Sequence, residues 1–237
     1  MKKGEQQNKT VDHVTKDSAR HNVSAAVIKR LPRYFRYLRE LIRMEKNRVS
    51  SAELSAMMNV TASQIRQDLN CFGGFGQQGY GYNVNYLYAN ICEILGTTNG
   101  YRAAVIGAGN LGRALVRSPM FEKRGVDVVA MFDVAPETVG RTIGGAEVYA
   151  MDDLEEILRD LHVDIVVLTL PKEYAVEVTD RLMTTKIRGI WNFTGKELNM
   201  GESGIVLENV HIGDSLMTLC YEIARRDDNE YDKENKE

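Results

Sequence analysis

The chain has 237 residues, enough for two modest domains with separate cores. Its apolar fraction of 43% and charged fraction of 27% are ordinary for a globular protein. No apolar run approaches the roughly 20 residues that cross a bilayer, and the N-terminal stretch lacks the apolar core of a secretory signal. Three scattered cysteines form neither a metal-binding spacing nor an even disulfide set. We therefore expect a cytoplasmic protein with reduced cysteines and no metal site.

Charge is unevenly distributed along the chain, although the formal net charge is only −3. The segment from Lys29 to Arg48 holds eight basic residues against two glutamates, whereas residues 227–237 are acidic and lack aliphatic side chains. We expect this acidic end and residues 1–23 to be disordered tails. The basic segment fits either the solvated face of an amphipathic helix or a nucleic-acid contact.

A first helix is predicted within the basic segment. Apolar residues from Leu31 to Leu41 recur at helical spacing, and Arg33 and Arg36 fall largely outside this apolar stripe. Because proline has no N–H to donate, Pro32 is expected in the first helical turn.

Two helix-start signals follow the first helix. Ser50 with Glu53, and Thr61 with Gln64 eleven residues later, each fit the capping-box pattern. A tight turn separates the two helices that these signals start. A first helix, a short second helix, a turn and a third helix predict a helix-turn-helix.

The outer face of the third helix carries residue types that read DNA. Arginine reaches guanine O6 and N7, glutamine reaches adenine, and serine reaches a phosphate or a base. Basic residues of the first helix would contact the phosphate backbone, so double-stranded DNA is the predicted partner. The predicted DNA-contacting residues are Arg33, Arg36, Ser51, Thr61, Ser63, Gln64, Arg66, Gln67, Gly79 and Tyr80.

The glycine-rich segment CFGGFGQQGYGYNV follows the third helix. Its glycines permit a tight hairpin, which predicts the wing of a winged helix-turn-helix. A glycine-rich loop between two domains is the alternative. A further helix, YLYANICEILG, ends at Gly96, so the DNA-binding domain is predicted over residues 24–96.

The stretch VIGAGNLGR has the spacing Gly107-x-Gly109-x-x-Gly112. In a dinucleotide-binding turn, the first glycine makes the tight turn, the second admits backbone N–H groups to the pyrophosphate, and the third lets helix and strand pack closely. A helix N-terminus near Asn110 also favours phosphate. Asp133 ends the next apolar run, where a carboxylate accepts from the ribose hydroxyls and repels a 2′-phosphate. Its alternative role is to start a turn.

Strand and helix patterns alternate onward to residue 210. The continuously apolar run DIVVLTL is typical of a buried parallel strand, and such sheets bind ligands at the carboxyl ends of their strands. The pattern predicts an α/β Rossmann-like dinucleotide-binding domain over residues 97–210, with NAD(H) as its ligand. The predicted cofactor-contacting residues are Gly107, Ala108, Gly109, Asn110, Leu111, Gly112, Asp133, Thr169, Pro171, Asn192 and Phe193.

A final helix, DSLMTLCYEIARR at 214–226, is predicted within a C-terminal segment 211–226. Nothing after it could cover its apolar stripe, so the helix must pack on its own chain or on a partner subunit. The stripe consists of Leu216, Leu219, Cys220 and Ile223.

The chain offers little for catalysis at the predicted cofactor site. A dehydrogenase needs a proton-transferring group in the cleft, and His211 is the histidine placed to reach one, with a loop histidine as the alternative. We therefore interpret the nucleotide as a signal and the protein as a regulator, not an enzyme. Two alternatives stay open: a small NAD-dependent oxidoreductase whose basic head serves oligomerisation, and a DNA-binding regulator whose Rossmann-like domain is only a dimerisation scaffold.

Four stretches together resemble the Rex family of redox-sensing transcriptional repressors: RLPRYFRYLREL, the run from VSSAEL to GQQGYGYNV, GAGNLGRAL, and VLENVHIGDSLMTLCY. The resemblance spans roughly residues 24 to 224. It implies a homodimer whose winged-helix domains bind palindromic operator DNA and release it when NADH binds the Rossmann domains. It also implies that the final helix is exchanged between subunits, which would cover its apolar stripe.

The sequence departs from the family pattern at several positions. Many members carry a tyrosine where Ser118 stands, near the nicotinamide, and an aspartate where His211 stands, in a redox-responsive polar network. Many also carry a basic residue at Gln77 or Gln78, and a more apolar run than NFTGKEL. The family roles are therefore not assigned to Ser118 and His211, and these departures bear on redox selectivity and operator affinity.

Overall fold

A computed structural model of the chain describes residues 23–72, 76–77 and 80–234. The chain divides into two compact units after Thr98, close to the predicted boundary at residue 96. Each unit has its own apolar core. Within the described ranges, no helix combines the length and apolarity needed to span a bilayer. The predicted tail at residues 1–22 lies outside the described residues.

The described part of the first unit contains four helices and a three-stranded sheet, whose first strand lies between the first two of these helices. The strands pair antiparallel in the order β1-β3-β2, which confirms the predicted winged helix-turn-helix. Gly79, which is predicted to contact DNA, lies outside the described residues. The elements are α1 (Ala25–Arg43), β1 (Arg48–Val49), α2 (Ser51–Met58), α3 (Ala62–Asn70), β2 (Gly76–Gln77), β3 (Gly81–Asn83) and α4 (Val84–Ile94).

Helix α1 begins earlier than the sequence pattern predicted. Pro32 lies inside the helix, well beyond its first turn, so that prediction was wrong. The helix instead starts after Ser24, whose hydroxyl accepts from the Val27 N–H at 3.4 Å. Val27 and Leu31 are both buried. Packing of this inner face sustains the helix through a residue that removes one backbone hydrogen bond.

The two predicted capping boxes differ in the structure. At α2, the Ser50 hydroxyl accepts from the Glu53 N–H at 3.1 Å, and the Glu53 carboxylate accepts from the Ser50 N–H at 2.7 Å, so this box is complete. At α3, the Thr61 hydroxyl accepts from the Gln64 N–H at 3.1 Å. The Gln64 side chain does not return to Thr61; it donates to Asp68. The second box is therefore half formed.

The Glu53 carboxylate makes the folding stability of the first unit depend on pH in the acidic range. Lys46, 2.5 Å from the Glu53 carboxylate, and hydrogen bonds from Ser50 lower the pKa of Glu53 from 4.5 to about 2. A lowered pKa in the folded state stabilises the fold above pH 4.5, and this stabilisation is lost as the pH falls through 2. Because both side chains are well exposed, the effect is below about 1 kcal/mol.

We expect Glu53→Gln to be less stable than the wild type at neutral pH, with the difference shrinking as the pH falls below 4.5. Urea unfolding of both proteins, followed by circular dichroism at several pH values, measures that difference. Glutamine keeps the capping geometry, so the variant isolates the charge. A stability difference that stays constant with pH would contradict the expectation.

The second unit is built around a seven-stranded sheet in the order β10-β9-β8-β4-β5-β7-β6. Neighbouring strands are parallel except β6 and β7. The order reverses between β5 and β8, on either side of β4, which defines a doubly wound Rossmann-like sheet. Its elements are β4 (Tyr101–Ile106), α5 (Asn110–Arg117), β5 (Val126–Asp133), β6 (Thr142–Ile143), β7 (Ala146–Ala150), α6 (Leu154–Asp160), β8 (Ile165–Leu168), α7 (Ala175–Leu182), β9 (Gly189–Asn192), β10 (Val206–Asn209) and α8 (Ile212–Glu234).

Helix α8 is longer than predicted. It extends to Glu234, so residues 227–234 are helical and the prediction of a disordered tail there was wrong. These residues include no glycine or proline to interrupt the helix.

The apolar stripe of α8 has no cover within the described chain. The stripe residues Leu216, Leu219 and Ile223 are each more than half exposed, as is the adjacent Ile212. Packing on its own chain, one of the two predicted alternatives, is therefore not observed. A partner subunit remains the expected cover.

Candidate dinucleotide cleft and nucleic-acid interface

The glycine turn between β4 and α5 depends on two close backbone approaches. Gly107 has φ of 99°, and a Cβ there would lie 2.8 Å from the Thr169 carbonyl oxygen. A Cβ at Gly112 would overlap the Gly107 carbonyl oxygen. Only glycine fits either position without moving backbone. The structure thus gives these two residues the turn and packing roles that the motif predicted.

The start of α5 provides a place for an anion. The helix begins at Asn110 with Gly109 as its N-cap, and no side chain caps it. The N–H groups of a first helical turn have no acceptor within the helix, and they include that of Leu111. A Cβ at Gly109 would meet nothing within 4 Å. This open space in front of unpaired N–H groups suits a phosphate.

Asp133 lies beside the glycine turn at the carboxyl end of β5. Its Oδ2 accepts from the Ala108 N–H at 2.6 Å, and its Oδ1 accepts from the Ala135 N–H at 2.9 Å. The second bond is the turn-starting role that the sequence left as an alternative. The first bond holds the carboxylate against the glycine turn, where the ribose would follow if a dinucleotide placed its pyrophosphate on that turn. Both interpretations of Asp133 are therefore compatible with the geometry.

A cleft of about 800 Å³ opens at the carboxyl ends of β4, β5 and β8. Thr169 and Pro171 line it, as predicted, and the Thr169 hydroxyl donates to the Gly107 carbonyl at 2.8 Å. The cleft therefore combines the glycine turn, apolar side chains and three carboxylates, those of Asp133, Asp152 and Glu177. The other lining residues include Gly107, Gly109, Asp133, Val134, Met151, Asp152, Leu170, Tyr174, Glu177 and Arg181. These residues fit a dinucleotide.

Asn192 and Phe193 do not line this cleft, in contrast to the sequence prediction. The Asn192 amide nitrogen donates to Lys196 and Asn209, and its oxygen accepts from Thr194 through both N–H and hydroxyl. These bonds fill the hydrogen-bonding capacity of the amide. Asn192 is 2% exposed and fixes the loop after β9. Phe193 instead packs on Trp191, with ring centroids 4.5 Å apart.

Ser118 and His211, two of the positions that depart from the family pattern, also lie outside the lining of the cleft. The Ser118 hydroxyl accepts from the Met120 N–H at 3.3 Å, just after α5. The His211 Nε2 lies 3.4 Å from a Glu197 carboxylate oxygen, just before α8. The described chain therefore does not bring His211 to the cleft.

In the first unit, the structure leaves a polar face on α3 accessible. Ser63, Arg66 and Gln67 are exposed, and Arg66 donates to the Ser51 hydroxyl at 3.1 Å. This contact brings together residues from the first turn of α2 and from α3. Thr61, also exposed, caps the same helix. These residues therefore form one accessible polar surface on α2 and α3.

Arg33 and Gln64 are both predicted to contact DNA, and in the structure each makes a hydrogen bond within the first unit. Arg33 is half-buried and donates to the Met58 carbonyl at the end of α2. Gln64 is also half-buried, and its Nε2 donates to Asp68 at 2.8 Å. Arg33 thus satisfies a backbone carbonyl at the end of α2, and Gln64 adds a hydrogen bond to the Asp68 carboxylate.

Sequence reasoning missed a buried carboxylate beneath this surface. Asp68 is fully buried and accepts from Arg30 through Nε and Nη2, each at 2.7 Å, and from the Tyr34 hydroxyl at 2.9 Å. Burial alone would raise the pKa of Asp68, but the hydrogen bonds from Arg30, Gln64 and Tyr34 outweigh it and lower the pKa. A charged residue between Ile65 and Leu69 on the apolar face was the available signal.

The wing carries a further basic contact outside the predicted set. Arg48 of β1 donates to the Tyr80 carbonyl at 3.1 Å, and its guanidinium lies 5.7 Å from the Tyr80 ring centroid. Tyr80 is 68% exposed. Arg36 is exposed on α1. These side chains add positive charge to the surface of the first unit.

Both units match known protein families. Residues 22–70 match the family described as "Putative DNA-binding protein N-terminus", and residues 98–195 match "CoA binding domain". Together with the geometry above, these matches define the class of the protein: a winged helix-turn-helix unit joined to a Rossmann-like nucleotide-binding unit.

Curated relatives match over most of the chain. It is 48% identical over 202 residues to the redox-sensing transcriptional repressor Rex of Clostridium tetani, covering 85% of this chain and 95% of the relative. It is 49% identical over 201 residues to the Rex protein of Caldanaerobacter subterraneus subsp. tengcongensis, covering 85% of this chain and 89% of the relative. The chain therefore belongs to the Rex family of redox-sensing transcriptional repressors.

Solved structures of the same family are similar. The crystal structure of RSP in complex with β-NAD+ and operator DNA is 47% identical with a TM-score of 0.81, covering 89% of this chain and 97% of that one. The structure of RSP with β-NADH is 43% identical with a TM-score of 0.81, covering 89% and 98%. The predicted fold class, with both of its units, is confirmed.

Proposed function

We propose that the chain is a homodimeric, cytoplasmic repressor that binds palindromic operator DNA through its first unit and releases it when NADH binds its second unit. The observation that carries this proposal is the presence in one chain of a formed recognition face and a dinucleotide cleft. Family membership supports it, since related structures contain NAD+, NADH and operator DNA. The chain is proposed to have no catalytic role, because its relatives are named as repressors.

NAD(H) is the proposed regulatory ligand of the cleft. The turn at Gly107 and Gly112 and the uncapped start of α5 would hold the pyrophosphate. Asp133 would accept from the adenosine ribose. Asp152 and Glu177 also line the cleft, and their carboxylates would disfavour a further phosphate on that ribose.

The two redox states differ in the charge of the nicotinamide ring. The ring is cationic in NAD+ and neutral in NADH, and burying an unpaired cation in an apolar site is costly. An apolar wall such as Pro171 would therefore prefer the neutral ring. Closing around it would change the spacing of the two recognition helices in a dimer, and half-sites on one face of DNA lie about 34–36 Å apart. A shift from 99% DNA-competent to 99% incompetent requires about 5.5 kcal/mol of differential affinity.

The proposal is tested with a palindromic duplex that the purified chain enriches from a random library. We expect a gel shift of this duplex to disappear when NADH is added and to persist in NAD+. Retention of the duplex in saturating NADH would contradict the proposed switch. Turnover of carbonyl substrates would favour the oxidoreductase alternative, and absence of nucleotide binding would favour the scaffold alternative.

We expect Asp133→Asn to weaken NADH binding about tenfold and to narrow the preference for NADH over NADPH. Asparagine removes the charge that repels a 2′-phosphate, and its amide no longer accepts from both Ala108 and Ala135. Fluorescence titration with each cofactor measures both effects. Asp127→Asn, an exposed residue of the same strand, is the matched control. An unchanged NADH to NADPH ratio in the Asp133 variant would contradict this role.

A further inference from the structure

The Gln64 amide has a defined orientation in the structure. Its Nε2 donates to Oδ1 of Asp68 at 2.8 Å, one helical turn further along α3. An ionised carboxylate can accept but cannot donate. The amide nitrogen, and not the oxygen, must therefore face Asp68, and Oε1 is turned away from the carboxylate.

Side chains of α1 fix the Asp68 carboxylate that orients the Gln64 amide. Arg30 grips both oxygens of Asp68 at 2.7 Å, and Tyr34 donates to Oδ2 at 2.9 Å. A planar guanidinium bonded to both oxygens fixes the plane of the carboxylate as well as its position. Asp68 has a lowered pKa, so it remains an acceptor at neutral pH. Oδ1 is thus held in one place for the Gln64 amide.

We propose that Asp68 is a positioning residue that sets the base preference of Gln64. This inference rests on the proposed DNA-binding function. One N–H of Gln64 is held by Asp68, which leaves Oε1 and the second N–H as an acceptor and donor pair. That pair complements the N6 amine and N7 of adenine in the major groove. Guanine presents two acceptors on the same edge, so the fixed Oε1 opposes guanine O6.

Asp68→Asn is the direct test of this arrangement. Asparagine keeps the shape of the side chain but can donate as well as accept. The Gln64 amide could then turn over and present its NH₂ group outward, which suits guanine. The variant should therefore lose discrimination at one base pair of each half-site, not affinity in general.

The experiment uses the full chain and the palindromic duplex that it enriches from a random library. Fluorescence anisotropy gives the Kd for this duplex and for duplexes with each other base pair at each half-site position. For the wild type, we expect adenine over guanine at one position by about tenfold to a hundredfold, the range of a good bidentate contact. For Asp68→Asn, we expect this ratio to fall below about threefold, with ratios at other positions unchanged.

Two further variants separate positioning from folding. Tyr34→Phe removes a different hydrogen bond to Asp68 and should keep the adenine preference. Gln64→Ala leaves the ion pair between Arg30 and Asp68 intact. It should lose discrimination between adenine and guanine at the same base pair, so the inference can be tested even if Asp68→Asn does not fold. In a folded Asp68→Asn chain, adding Gln64→Ala should cause no further change in the ratio of affinities for adenine and guanine at that base pair.

Retained adenine preference in a folded Asp68→Asn chain, or in Gln64→Ala, would overturn the inference. An equal loss of affinity of the Asp68→Asn chain for every duplex would also overturn it. So would a wild type that prefers adenine over guanine at no half-site position. A wild type that enriches no duplex at all would instead overturn the proposed function.

Discussion

Replacing Gly109 by leucine is expected to weaken NADH binding about a hundredfold and to leave a repressor that holds its operator whether NADH is present or not. A Cβ at this position meets nothing within 4 Å in the protein, so the fold accepts the side chain. The leucine would instead occupy the space in front of the α5 N–H groups, where backbone must approach the pyrophosphate. The loss corresponds to about 2.7 kcal/mol of binding free energy.

Calorimetric titration with NADH and a gel shift with operator DNA measure the two halves of this result. Gly112→Leu is the contrasting variant, because its Cβ would overlap the Gly107 carbonyl oxygen. We expect that variant to lower the melting temperature of the second unit as well as cofactor binding. Full NADH response in a folded Gly109→Leu chain would show that the nucleotide binds elsewhere.

Replacing Leu216 and Leu219 together by aspartate is expected to convert the dimer into monomers and to remove tight operator binding. Burial of each leucine contributes about 1.5–3 kcal/mol, and the variant would place two charges in the apolar contact. A monomer engages one half-site at a time and loses the advantage of paired binding. Because both side chains are exposed in the single chain, the monomer should keep its fold and its NADH binding.

Sedimentation velocity gives the oligomeric state, and the gel shift gives the loss of operator affinity. Thr218→Asp is the matched control, since this residue is exposed on α8 outside the predicted apolar stripe. The control should remain dimeric and bind operator normally. A double variant that stays dimeric would exclude α8 from the subunit contact.

The two-unit architecture could be predicted because its signals are local and repeated. Alternating strands and helices, the spacing of three glycines and the pair of helix caps each depend on a few neighbouring residues. The strand β6 was missed because two residues, Thr142 and Ile143, are too few to show a period. The start of α1 was misplaced because Pro32 was interpreted from its own chemistry, while buried Val27 and Leu31 decide where the helix begins.

Site residues were harder to predict where one side chain has two possible partners. Asn192 follows the pattern of a polar residue at a strand end, yet Thr194, Lys196 and Asn209 take up its amide. Gln64 is predicted to face outward, but one N–H of its amide is bonded to Asp68. These choices depend on groups distant in sequence or on a buried charge, which hydrophobic spacing does not encode. Gly107, Gly109 and Asp133, which short-range geometry defines, do line the cleft, and their contact with a cofactor stays a prediction.

The two backbone hydrogen bonds to the Asp133 carboxylate bear on how quickly the protein can respond to a change in the NADH to NAD+ ratio. Its carboxylate is already oriented by Ala108 and Ala135, and the glycine turn beside it is already folded. A prearranged receptor does not expend binding free energy on ordering itself. We therefore expect that no slow local refolding step precedes coenzyme binding. Repression could then follow changes in the coenzyme ratio without a delay from that step.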